Sequence, residues 1–123
     1  MAIKKTIFVA FAIEDERIRD MIKGQSLNIA TPFEYIDMSV KEAYESNWKE
    51  KVKTRILRSD GVLAIVTKNS TTSTGQKWEI ACAQEQGVPV RGIWAYKDDT
   101  TSIAGVKTMQ WTWANIGDWI NSL

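Results

Sequence analysis

The sequence has no histidine, a single cysteine, two prolines and a formal net charge of only +1. Each of these absences removes a class of chemistry. Without histidine there is no Ser-His-Asp triad, no Cys-His dyad and no histidine-ligated metal. Any catalysis therefore falls to carboxylates, hydroxyls and backbone groups. Cys82 has no partner for an internal disulfide, and between Ala81 and Ala83 in a helical pattern it reads as a small buried thiol. No imidazole stands ready to activate it as a nucleophile. Sixteen basic residues against fifteen acidic ones give no general pull toward nucleic acid or a membrane surface. No apolar run approaches the length of a membrane span, and the first five residues lead straight into a strand pattern without a signal-peptide core. The reading is a cytosolic (cytoplasmic) protein with no nucleic-acid and no membrane partner, folded as one domain over residues 1–123.

What is present is organised around residues 61–94. Gly61 to Val66 is a continuous apolar run with β-branched residues, apolar on both faces as a central parallel strand must be. A polar Ser/Thr-rich loop over residues 68–75 follows, then a helical pattern over 76–86 that stops at Gly87 with Pro89 beyond. Residues 88–94 return to the sheet. Strand, helix and strand form a right-handed crossover, and ligands of such open sheets bind outside the carboxyl ends of the strands. Glu79, near the start of that helix, is thus placed close to a ligand position.

Upstream, residues 5–12 read as the first buried strand. Glu14, Asp15 and Glu16 suit a helix start through the macrodipole, and Ile18, Met21 and Ile22 mark one buried face before Gly24 ends the run. Residues 33–37 alternate apolar and polar, as an edge strand does. Residues 38–47 form a connection longer than most, which points to function. Ser46 reads as the N-cap of a helix carrying Trp48, Val52 and Ile56 on one side, with its lysines and arginines on a solvated face. Downstream, residues 106–111 supply a fifth short strand, and Ile116, Trp119, Ile120 and Leu123 have the spacing of a closing helix over 115–123. The alternation predicts a three-layer α/β sandwich with a parallel five-stranded sheet, flavodoxin-like in order 2-1-3-4-5.

Several nucleotide-binding schemes are excluded. Ala12-Ile13-Glu14-Asp15 after the first strand would repel a flavin phosphate. The third strand ends in Val66-Thr67-Lys68, without the acceptor carboxylate of a response-regulator receiver. No GxxxxGK[ST] loop exists.

What remains is Trp78-Glu79 behind a hydroxyl-rich loop, and here the chain resembles the TIR-like domains of bacterial Thoeris-type anti-phage systems. The resemblance runs through Ile7 to Phe11 followed by Asp15, Phe33 to Asp37, Asn47 to Glu50, Ile56 to Asp60, Asn69, Ser70, Ser73, Trp78 to Ile80 and Gly87 to Ile93. The chain departs from the family pattern at Ala10, Thr67 and Gly75. The resemblance implies cleavage of the nicotinamide N-glycosidic bond of NAD+, with release or cyclisation of ADP-ribose. NAD+ is then the substrate and no cofactor is needed. It makes Glu79 the catalytic carboxylate and implies substrate contacts around Phe11, Ala12, Asp15, Trp48, Ser70, Thr71, Ser73 and Trp78. It also implies homo-oligomers and a downstream effector that senses the product.

The chemistry agrees with that expectation. Departing nicotinamide leaves an oxocarbenium-like ribose that a fixed carboxylate stabilises, and its cationic leaving group needs no general acid. The residues alone leave other readings open. Glu79 also suits a helix start through the macrodipole, and Trp48 and Trp78 also suit core packing. A non-catalytic TIR-like interaction domain is the alternative function, and a nucleoside deoxyribosyltransferase-like enzyme with a glutamate nucleophile is a third.

Overall fold

The computed structural model describes residues 5–26, 33–36 and 48–123. Five strands form one sheet: β1 (Lys5–Ala10), β2 (Phe33–Ile36), β3 (Gly61–Val66), β4 (Val90–Trp94) and β5 (Thr108–Gln110). Every pairing is parallel and the order is β2-β1-β3-β4-β5, as the alternation of elements predicts. Four α-helices are seen among the described residues: α1 (Glu16–Gln25), α2 (Trp48–Arg58), α3 (Thr74–Glu85) and α4 (Trp113–Asn121).

The period-two geometry of the strands divides the core into two layers. Ile7 and Val9 of β1, Leu63 and Ile65 of β3 and Ile93 of β4 face α1 and α4, meeting Ile18, Ile22, Ile116, Trp119 and Ile120. Phe8 and Ala10 of β1, with Val62, Ala64 and Val66 of β3, face α2 and α3, meeting Val52, Ile56, Ile80, Cys82 and Ala83. Residues 62–66 have no exposed surface at all, which is why β3 is apolar without alternation. Gly92 on β4 is required by close approach. A Cβ there would stand 2.6 Å from Thr108 Oγ1 and 2.9 Å from Val66 Cγ2.

Several boundaries differ from the sequence reading for identifiable reasons. β1 ends at Ala10 because Ile13–Asp15 turn into a short 3-10 helix directly before α1. Helix α1 runs through Gly24 to Gln25, and only Ile18 and Ile22 are buried on it. Met21 is 57% exposed, so one turn of the i, i+4 pair carries the contact. The loop after β3 folds into a 3-10 turn, Lys68–Thr71, and α3 starts at Thr74, with Ser73 Oγ accepting from the Gln76 amide at 3.2 Å. The helix start thus falls two residues earlier than the pattern suggests, and Glu79 lies in its second turn. Past α3, Gly87 adopts φ +72°, the left-handed conformation that ends a helix without Cβ strain. β4 begins at Val90, β5 covers only Thr108–Gln110, and α4 begins at Trp113, where Thr112 Oγ1 accepts from the Asn115 amide at 3.0 Å. The 38–47 connection and the Ser46 cap lie outside the described residues. Among the described residues no helix is long and apolar enough to cross a membrane.

Candidate functional site

The order 2-1-3-4-5 reverses direction between β1 and β3, so the crevice of the sheet opens at the carboxyl ends of those two strands. Three polar side chains close that end. Thr67, one residue beyond β3, donates from Oγ1 to Asp15 Oδ2 at 2.6 Å, and Asn69 donates from Nδ2 to Asp15 Oδ1 at 3.1 Å. Asp15 is 2% exposed, and hydrogen bonds from two neutral donors are what let a carboxylate stay there. Thr67 also accepts from the Asn69 amide at 3.1 Å, and Ser70 Oγ accepts from the Thr67 amide at 3.1 Å while donating to the Ile65 carbonyl at 3.2 Å. The turn is a reciprocal cap, built from residues that read in sequence only as a hydroxyl-rich loop.

Gln76, in the first turn of α3, reaches under this turn. Its Nε2 donates to the Ala10 carbonyl at 3.1 Å and to the Ile65 carbonyl at 2.7 Å, while its buried Oε1 has no hydrogen-bond partner among the described residues. One side chain thereby ties the helix to the last residues of two neighbouring strands. Glu79 follows one turn later and is 8% exposed. Beside it Trp78 meets Trp48 of α2 edge to face, with ring centroids 5.3 Å apart and planes at 68°. The Lys49 ammonium lies 5.8 Å from the Trp48 ring and 5.9 Å from that of Trp78. Burial pushes the nearby Cys82 thiol up, Lys53 opposes this, and Glu85 and Glu79 add to it. Cys82 is therefore a protonated thiol at neutral pH.

Five of the residues singled out from sequence fall into two groups. Asp15 and Ser70 meet through Thr67 at the carboxyl ends of β1 and β3. Trp48, the first residue of α2, meets Trp78 of α3, and Glu79 is the next residue along α3. Phe11 packs half-buried on the core, with the Arg19 guanidinium 4.9 Å from its ring centre, and Ala12 is fully buried. Thr71 is exposed and donates to the Lys68 carbonyl at 2.8 Å, and Ser73 caps α3.

Two open clefts extend from this end of the sheet. One, of about 700 Å³, lies among Asp15, Thr67, Asn69, Tyr96 and the 98–101 loop. The other, of about 590 Å³, lies at the ends of β4 and β5 among Trp94, Tyr96, Lys97 and Trp111. Glu79 lines neither. Asp99 organises the loop between them, with Oδ2 accepting from the Lys68 amide at 2.8 Å and Oδ1 from the Thr101 hydroxyl at 2.6 Å. The Thr101 hydroxyl foremost, then the Lys68 amide, holds the Asp99 carboxyl below its ordinary value. Sequence reasoning missed Thr67, Asn69, Gln76 and Asp99. Thr67 with Ser70 three residues on carried a capping signal, while the other three act across distances that no local spacing reveals. Among the described residues no group of three or more His, Cys, Asp or Glu side chains is placed to hold a metal ion.

No family model and no curated protein matches this chain. The fold defines the class, a flavodoxin-like parallel α/β sheet, and the site has to carry the functional argument.

Proposed function

We propose that this chain is a TIR-like NAD+ nucleosidase or cyclase that cleaves the nicotinamide N-glycosidic bond with Glu79 as its carboxylate. One observation carries the reading: Glu79 is a nearly buried acid on the helix after the central strand, one turn beyond a glutamine pinned to β1 and β3. A carboxylate held there, out of bulk water, stabilises the cationic ribose that forms as nicotinamide departs. The Trp48–Trp78 pair supplies an aromatic surface for a ring of the dinucleotide, and Lys49 supplies positive charge for its pyrophosphate. Release of ADP-ribose, linear or cyclic, fits an anti-phage signalling role with a product-sensing effector and assembly of the chain into homo-oligomers.

The test is nicotinamide release from NAD+ by concentrated protein, comparing wild type with Glu79→Gln. Loss of about a hundredfold or more in a folded variant supports the assignment. Equal release by both proteins, or none from wild type, overturns it.

The alternative, a non-catalytic TIR-like interaction domain, is favoured by a different observation. Ser70, Thr71 and Ser73 use their hydroxyls to build the loop and cap the helix, and Phe11 and Ala12 belong to the core. Concentration-dependent self-association in sedimentation velocity, without any turnover of NAD+, identifies that function.

A further inference from the structure

The cleft of about 700 Å³ draws its lining from two stretches of chain: residues 96–101 after β4, and Glu14, Asp15 and residues 67–69 at the ends of β1 and β3. The first stretch is bounded by firm points. Pairing of β4 with β3 ends at Ala95, whose amide reaches the Val66 carbonyl at 3.5 Å, and Ile103 packs on the core layer beneath α2 and α3. Between them two hydrogen bonds tie the segment to the rest of the fold. Asp99 Oδ2 accepts from the Lys68 amide at 2.8 Å, which joins the two stretches, and the Thr101 carbonyl accepts from the Trp94 indole N–H at 3.0 Å.

The other hydrogen bonds of the segment are internal. The Asp99 amide donates to the Tyr96 carbonyl at 3.3 Å, and Asp99 Oδ1 accepts from the Thr101 hydroxyl at 2.6 Å and amide at 3.3 Å. Tyr96, Lys97, Asp98 and Thr100 are exposed. The segment thus holds its own shape but has little buried surface and few ties outward, the signature of a unit that opens locally while the core stays closed. We propose that residues 96–101 are a strap over this cleft that opens as one unit, the Asp99–Lys68 and Trp94–Thr101 bonds breaking together and uncovering Thr67 and Asn69. The crevice it covers lies at the switch point between β1 and β3, where guests of such sheets bind, and a strap there governs their entry. Glu79 does not line this cleft, so the strap operates whether or not NAD+ is the substrate.

The experiment is hydrogen exchange of backbone amides and indole N–H groups by NMR on the full chain, comparing wild type with Lys68→Pro, Lys68→Ala and Trp94→Phe. Lys68 opens a 3-10 turn, a position that suits proline, and Thr67 before it is extended at φ −143° and ψ 176°. Lys68→Pro therefore deletes the donor to Asp99, whereas Lys68→Ala keeps it. The expected result is that Lys68→Pro speeds exchange of the Trp94 indole about tenfold and Trp94→Phe does the same to the Lys68 amide. Lys68→Ala leaves the indole at its wild-type rate. The Val62 amide, held by the Pro89 carbonyl at 2.8 Å, stays slow throughout, which separates release of the strap from unfolding. If Val62 exchanges quickly in Lys68→Pro, the Trp94→Phe protein decides. A Trp94 indole unchanged in folded Lys68→Pro, a Lys68 amide unchanged in Trp94→Phe, or equal responses to Lys68→Ala and Lys68→Pro overturn the proposal.

Discussion

Thr67 donates a hydrogen bond from its hydroxyl to the buried carboxylate of Asp15 across 2.6 Å, joining the end of β3 to the turn after β1 over a separation of 52 residues. The pair belongs to the fold as much as to any ligand. Asp15→Ala leaves the Thr67 hydroxyl and the Asn69 amide without their acceptor. The expected cost is about 2–3 kcal/mol of unfolding free energy by urea titration. Thr67→Val removes both the donor to Asp15 and the acceptor of the Asn69 amide and should also destabilise, while Thr67→Ser, which keeps the hydroxyl, should lie close to wild type.

Gly92 is expected to tolerate no side chain. Gly92→Ala forces a methyl against Thr108 and Val66 on the two flanking strands, and overpacking of this kind costs about 1–3 kcal/mol. Thr108→Ala in the same chain removes the closest atom, so the double variant should recover part of the loss. Simple additivity of the two variants in urea titration would show that the contact is absent.

Cys82 offers a pH-dependent measurement. Its folded pKa is raised, first by burial, so its contribution to stability is complete below the ordinary thiol range. That contribution is lost as pH rises through the folded value. Alkylation by iodoacetamide should be slow in the native protein at neutral pH and fast in urea. Glu79→Gln removes one of the charges that raise the thiol and should shift the onset of alkylation to lower pH.

Asp99 titrates in the opposite sense. Its carboxyl is held low by Thr101 and the Lys68 amide, so its contribution is complete above the ordinary carboxylate value. That contribution disappears as pH falls through the depressed folded value. The difference in urea midpoint between wild type and Asp99→Asn should therefore be visible at neutral pH and vanish in strong acid. A difference that persists at low pH would assign the stabilisation to something other than the charge.

Under the proposed activity, the aromatic pair separates binding from chemistry. Trp78→Ala should raise KM for NAD+ with a smaller change in kcat, because stacking holds the substrate before and during bond cleavage alike. Glu79→Gln should do the reverse. A Trp78→Ala enzyme with unchanged KM would remove that tryptophan from the substrate site.

The sheet order was legible because apolar continuity marks buried parallel strands, and β3 and the Gly87 stop are unambiguous in that sense. Helix α3 was misjudged at its start because Gly75 masks a first turn that the Ser73 hydroxyl secures. Met21 fits the helical period as well as Ile22 does, yet only Ile22 is covered by the core. The roles of Asn69, Gln76 and Asp99 depend on partners 54, 66 and 31 residues away, and such pairings exist only after the chain has closed on itself.

The two hydrogen bonds of Gln76 Nε2 have a mechanical consequence. They act as a cross-brace at the rim of the sheet, across the last rung of the β1–β3 ladder where Ala10 pairs with Ala64. Helix α3 is stapled to that rim by its first turn, so it cannot pivot outward unless both bonds break together. Slow amide exchange should therefore reach Gln76 and Lys77 in the first turn of α3, whose amides bond to Ser73.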